Sequence, residues 1–195
     1  MNALDAIFAR RSIGRLIEPA PNASELETIL RAGAAAPDHQ SLRPWKFVVL
    51  AGKAKDAFGD VLADAYRARC ADCDKDEVPA KLEKERTKLG RAPLVIVIGA
   101  VHRDEPKVPF IEQFAAGAAA AQNMLLAATA LGYGSMWRTG DPAYDERVKA
   151  ALGLGEPDAI VGFLYVGTPN PGGSKEPNHP LIDDLVDQWS PPNGG

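Results

Sequence analysis

Apolar and polar positions along the chain switch between a helical and an extended period, and the switches mark the elements. Residues 2–11 carry a short helical pattern. Ser24-x-x-Glu27 has capping-box spacing, in which each side chain satisfies the other's orphan backbone N–H. A helix over 25–35 follows, with Leu26, Ile29 and Leu30 on one face, and Pro37 stops it. Trp45–Leu50 reads as a strand. Residues 53–70 return to helical spacing through Ala57, Val61, Leu62, Ala65 and Tyr66. Residues 79–90 are helical and strongly charged, with Glu83–Arg86 and Glu85–Lys88 spaced as ion pairs.

The run Pro93–Gly99 is apolar without alternation, which predicts a central strand covered on both faces. An alanine-rich helix spans about 110–131, and Gly132 is placed to end it. Gly134–Trp137 reads as a short strand, and Asp141-Pro142 as the start of a helix to about 151. Ala159–Val166 is the last strand. Beyond Thr168, Pro169, Pro171, Gly172, Gly173, Pro177 and Pro180 predict an extended tail over 170–195 of a single domain, 1–195. The predicted fold class is α+β, with helices covering a sheet of four or five strands.

Composition narrows the partners. The 195 residues suit one domain and are too few for separate cofactor and substrate lobes. Hydrophobic residues at 46% and charged residues at 25% exclude disorder as the main state. The net charge of −4 lacks the basic surplus of a general nucleic-acid binder. The N-terminus shows no basic segment followed by an apolar one, so a cytoplasmic location is expected. The uncharged stretch Phe114–Leu131 invites a membrane reading. Gln122 and Asn123 at its centre, and alanine's weak hydrophobicity, favour a buried helix and no membrane.

Few residues carry obvious chemistry. Arg10-Arg11-Ser12-Ile13-Gly14-Arg15 places three guanidinium groups and a hydroxyl at a helix exit, suited to a phosphate or to the helix's own negative end. Pro37–Trp45, with His39, is a dense polar loop before a strand. Gly132–Gly140 lacks dinucleotide-fingerprint spacing, and Gly167–Lys175 lacks the Gly-Lys-Ser/Thr order of a phosphate loop. Cys70-Ala71-Asp72-Cys73 lies at a helix end among acids and opens no helix, so neither a redox nor a zinc motif is expected. Two cysteines make no disulfide framework. His102 and His179 show no metal spacing, and no nucleophile–base set or carboxylate pair stands out.

Taken in order, Arg10-Arg11-Ser12-x-x-Arg15, Ala36-Pro37 through Pro44-Trp45, Ala116 through Trp137, and Ile160 through Pro169 resemble the nitroreductase family of FMN-dependent oxidoreductases, in its compact form. The resemblance covers residues 1 to about 170. It implies a three-layer sandwich with a mixed sheet, a homodimer, and FMN sites at the subunit interface. Arg10, Arg11 and Ser12 would hold the FMN phosphate and ribityl end. His39 would reach the flavin held mainly by the partner, with Ala35 on the same segment. Trp137, Arg138 and Thr139 would border the flavin. Ala127, Ala128, Thr129, Ala130, Leu131 and Gly132 match positions assigned to nicotinamide. Ser41 and Arg43 stand where many relatives have Asn and Gln, and Ala35 where some carry Arg.

The implied activity passes hydride from NADH or NADPH through FMN to a nitroaromatic, quinone or similar small electron-poor acceptor. Chemistry would occur at flavin N5, with no catalytic side chain and no metal. Two other readings stand beside it: a non-catalytic FMN-binding, storage or sensor module, and a helical interaction protein without ligand.

Overall fold

Alternate burial along one strand sets the architecture. The computed structural model describes residues 1–70, 73, 74, 76–171 and 180–191. Strand β3 (Leu94–Ala100) is buried at every position. Leu94, Ile96, Ile98 and Ala100 face one core, while Val95 and Val97 face the other. Each fully buried aliphatic side chain contributes roughly 1.5–3 kcal/mol, so two-faced burial makes this strand the molecule's centre.

The remaining strands assemble around it. β2 (Trp45–Ala51) pairs with β3, and β5 (Ala159–Pro169) pairs with β3's other edge. β4 (Gly134–Arg138) pairs with β5 over Gly167–Phe163, and β1 (Leu16–Ile17) continues that edge against Thr168 and Pro169. All four named ladders are antiparallel. The parallel component expected of a mixed sheet is confined, among the described residues, to the single bridge Ser12–Ser135. β3 and β4 still run the same way, because both oppose β5. One long helix joins them.

That helix, α5 (Phe110–Ala130), covers one sheet face together with α2 (Ala23–Ala34), while α1 (Ala3–Ala9) packs on α5. α3 (Gly52–Arg69), α4 (Val78–Thr87) and α6 (Glu146–Ala151) lie with the other core. A bulge completes the arrangement. Ile98 opposes Gly162 but Gly99 opposes Ile160, so Val161 is extra. The added residue turns Ile160 and Phe163 toward the same core, three positions apart.

The described residues of the chain thus form the α+β sandwich expected, with five strands. Local punctuation differs in places. The capping box at α2 is Asn22/Glu25, not Ser24/Glu27. Asn22 Oδ1 accepts from Ser24 N and Glu25 N, while Glu27 instead pairs with Arg31 one turn on. Asn caps as well as Ser, so the earlier residue wins. Asp141-Pro142 opens only a 3-10 turn, Asp141–Tyr144. Buried Asp145 is the cap of α6, accepting from Arg147 N and Val148 N and binding the Arg69 guanidinium.

Gly132 ends α5 as expected, at φ +89°. Its N–H reaches Thr129 O and that of Tyr133 reaches Ala128 O, the paired bonds of a Schellman cap. Gln113, at the apolar helix's start, is buried with its amide fully used by Arg103 and Val108. No helix among the described residues is long and apolar enough to cross a membrane.

Cys70 and Cys73 are joined by a disulfide, which no local motif predicts. α3 stops at Arg69, and the non-helical Cys70 turns the chain so that the two Cα atoms lie 4.8 Å apart. The bond closes one turn and is no framework. His179, Pro177 and Gly172–Lys175 lie outside the described residues. Of the tail, residues 180–191 are exposed and contain one 3-10 turn, Ile182–Leu185.

The α3–α4 hairpin depends on a close approach at Gly59. A β-carbon there would lie 2.1 Å from the backbone oxygen of Arg86. Gly59→Ala should therefore cost about 2–3 kcal/mol in urea unfolding, since backbone rather than a flexible side chain must move. A loss below about 0.5 kcal/mol would contradict this packing.

Candidate functional site

β5 brings together two segments that are far apart in sequence. It holds β4 and β1 end to end on one edge, and the chain before β1 turns back so that Ser12 lies beside Ser135 of β4. Ile13 N–H donates to Ser135 O at 3.0 Å, and Ser12 bridges Ser135. A β-carbon at Gly14 would lie 3.7 Å from Arg138 Nη2 and 3.8 Å from Met136 Sδ. Arg10, Arg11 and Ser12 thus leave α1 directly onto the β4 edge. Arg10 and Arg11 are half-buried and Ser12 is exposed.

The end of β4 is polar inside. The Trp137 indole donates to Val161 O at 3.2 Å and its ring packs with the α2/α5 core. Arg138 points to the opposite side, with its guanidinium 5.9 Å from the centroid of the Tyr165 ring. Burial pushes the Tyr165 phenol up, while the charges of Arg138 and Arg91 pull it down. Arg138 Nε and Ser135 Oγ are buried with no hydrogen-bond partner among the described residues. Such groups cost about 1–3 kcal/mol each when left unsatisfied, so a ligand with acceptor oxygens would relieve them. Thr139 is exposed, and Gly140 at φ +80° turns the chain along a cavity of about 660 Å³. Arg138, Thr139 and Tyr165 line it.

The other expected residues lie elsewhere. His39 opens a 3-10 turn after α2, and its Nδ1 sits 2.7 Å from Glu112 Oε2 on α5. Ala35 is the exposed C-cap of α2. The loop between them and β2 holds Gln40, Ser41 and Arg43 at φ of +59°, +54° and +48°. Three non-glycine residues in the left-handed region within four positions mark a loop over-determined by its surroundings. Asp38 Oδ1 is also buried there without a partner among the described residues.

Ala127–Gly132 form the last turn of α5 and its cap. Ala128 is sealed in the core, and the Thr129 hydroxyl donates to Leu125 O at 2.9 Å. This segment and the cavity lie on opposite faces of the sheet, because α5 belongs to one core and Leu62, Phe163 and Tyr165 to the other. The structure therefore joins Arg10–Ser12 with Trp137–Thr139, and places Ala35 with His39, and Ala127–Gly132, on the helical layer. Sequence reasoning missed Glu112, whose pairing with His39 spans 73 positions and leaves no local signal.

The α+β sandwich thus carries the Arg10–Ser12 segment beside Arg138 at one strand edge, between two helical layers. The chain matches the Nitroreductase family over residues 7–168 and belongs to it. It is 42% identical over 180 residues to the Escherichia coli K12 protein YdjA, a candidate NAD(P)H nitroreductase by name, covering 92% of this chain and 95% of that one. A nitroreductase-like family protein from Bacillus cereus superposes with a TM-score of 0.82 at 20% identity, covering 98% and 97% of the two chains. A candidate nitroreductase, by name, from Desulfovibrio desulfuricans, solved in complex with FMN, does so with a TM-score of 0.70 at 24% identity, covering 98% and 99%.

His39 and Glu112 are each about half exposed. Pairs of that kind contribute about 0–1 kcal/mol. His39→Ala and Glu112→Ala should each change urea stability by less than about 1 kcal/mol. A loss above 2 kcal/mol would show that the pair holds the fold rather than serving a site.

Proposed function

We propose that the chain is an FMN-dependent oxidoreductase that passes hydride from NADH or NADPH, by way of the flavin, to a small electron-poor acceptor such as a nitroaromatic or a quinone. One observation carries this reading: Arg10-Arg11-Ser12 meets Trp137–Thr139 at one strand edge, beside the unpartnered Arg138 Nε and Ser135 Oγ. The donor set fits FMN. Two guanidinium groups and a hydroxyl match a phosphate monoester, which carries about −1.5 to −2 charge and presents acceptor oxygens. When bound, FMN supplies a two-electron carrier that takes and returns hydride at N5.

The chain's own residues bind and orient. Arg10, Arg11 and Ser12 hold the phosphate and ribityl end. The backbone of Trp137, Arg138 and Thr139 borders the ring system, with the Arg138 charge favouring anionic forms nearby. No acid–base side chain is required. Nicotinamide would meet Ala127–Gly132 only through exposed Ala130, Leu131 and Gly132, since the inner groups are consumed within the helix.

Two copies complete the site. His39 and Ala35 lie on the α2/α5 layer, where they would serve a second copy's flavin. α1 exposes Leu4 and Phe8, at 63% and 60%, and the tail exposes Trp189 at 84%. Apolar surface of this kind suits a homodimer with the tail as an arm over the partner. A cytoplasmic setting fits, since NADH and NADPH are supplied there.

FMN-loaded protein should oxidise NADH or NADPH when a nitroaromatic or quinone is added. Tight FMN binding without turnover for any such acceptor would favour the storage or sensor module, and no FMN binding would overturn both readings. Arg10→Ala should weaken FMN binding about 10- to 100-fold, the worth of one or two charge-assisted hydrogen bonds. Unchanged affinity in a fluorescence titration would show that the phosphate lies elsewhere.

A further inference from the structure

His39 and Glu112 stand on two supports that are fixed independently of each other. Glu112 lies in the first turn of α5, where the helix dipole favours an acid. Its neighbour Gln113 is buried, accepts from Arg103 N, and donates to Arg103 O and Val108 O. The start of the helix is thereby tied to the chain that leads into it. His39 opens the 3-10 turn His39–Ser41. The loop that follows is anchored at its far end, where Val101 N–H donates to Pro44 O at 2.8 Å. Between these points Gln40, Ser41 and Arg43 keep left-handed backbone, at a cost of about 1–3 kcal/mol each, so the loop is not free to relax. The two side chains meet at 2.7 Å between His39 Nδ1 and Glu112 Oε2. The other ring nitrogen, Nε2, has no partner among the described residues. A pair this exposed adds little to folding, so stability does not explain why it is made.

An ionised carboxylate can only accept, so the ring nitrogen that faces Glu112 carries a proton. Which imidazole nitrogen is protonated is set by the hydrogen bond that the other nitrogen makes. Glu112 therefore commits a neutral His39 to the Nδ1–H tautomer and leaves Nε2 as the free acceptor of the ring. We infer that Glu112 is a positioning residue for His39: its carboxylate holds the imidazole by Nδ1, so that Nε2 is the atom the ring offers to a ligand. The identity of that ligand, the flavin held by a second copy, rests on the oxidoreductase reading above; the pairing and the tautomer do not. On that reading, the neutral ring takes a hydrogen bond from a donor on the flavin, a ribityl hydroxyl or a ring N–H. Without Glu112 the imidazole would turn freely about its side-chain torsions. It would also carry its proton mainly on Nε2, and so present a donor where an acceptor is needed.

Two measurements on the full chain, loaded with FMN, test this. The first is imidazole nitrogen NMR at alkaline pH, where histidine is neutral. The chain has three histidines, so the His39 signal is the one lost in His39→Ala. The wild type should show the Nδ1–H tautomer at His39, and Glu112→Ala should revert it to Nε2–H. An Nε2–H tautomer in the wild type, or an Nδ1–H tautomer that survives Glu112→Ala, overturns the inference. The second is FMN affinity, by fluorescence titration, across wild type, His39→Ala, Glu112→Ala and the double variant. Glu112→Ala should weaken FMN about 3- to 10-fold, the worth of one hydrogen bond. In the His39→Ala background it should change affinity by less than about twofold, because a residue that acts through His39 has nothing left to hold. An equal loss in both backgrounds, or no loss in either, overturns the inference. Failure of the wild type to bind FMN refutes the flavoenzyme reading instead, and the tautomer in that same protein still decides the pairing. Urea unfolding of each variant separates lost positioning from lost fold.

Discussion

The length of β5 is the constraint on which the rest depends. Of its eleven residues, Ala159–Val166 run along β3 on one edge, and the other edge carries β4 over Phe163–Gly167 and then β1 at Thr168 and Pro169. A strand two or three residues shorter would leave Leu16 and Ile17 without Thr168 and Pro169 to pair with. The segment from Arg10 to Arg15 would then have no reason to lie along Ser135. The bulge at Val161 belongs to the same constraint. Beyond it the strand alternates between the two cores, with Phe163 and Tyr165 on the Arg138 side and Leu164 and Val166 closing on α5.

Much of the fold was legible because burial writes itself into local pattern. The unbroken apolar run before Gly99 announced a strand covered on both faces, and Leu26, Ile29 and Leu30 announced the inner face of α2. Gly132 announced its own cap through its freedom to take positive φ. What escaped were features settled by competition or by distance. Asn22 and Ser24 are equally good caps, and only the backbone path decides between them. β1 is two residues long and exists only through a partner about 150 positions away. Asp145 outcompetes Asp141 as the cap of α6 because Arg69, on another helix, meets its buried carboxylate.

The site divides in the same way. Arg10-Arg11-Ser12 was visible because three chemically similar groups crowd one short segment. Trp137–Thr139 carried no chemistry of their own, and were singled out only by resemblance. The fold gives them meaning by burying Arg138 Nε beside them. Lys84 lies in the strongly charged helical stretch, and only the fold sets it, with Arg91 of the following 3-10 turn, across a cavity from the end of β4. Glu112 likewise looks like a helix's first-turn acid until His39 is placed against it.

On the proposed reading each copy supplies a half-site of each kind: an anion seat at the strand edge, and a histidine loop on the helical layer. The account stands on the flavin seat beside β4. Its most direct test is the visible spectrum of the FMN-loaded protein under anaerobic NADPH. The oxidised flavin band should disappear on mixing and return when a quinone or nitroaromatic is admitted. A band that persists, with FMN still bound, would contradict the account.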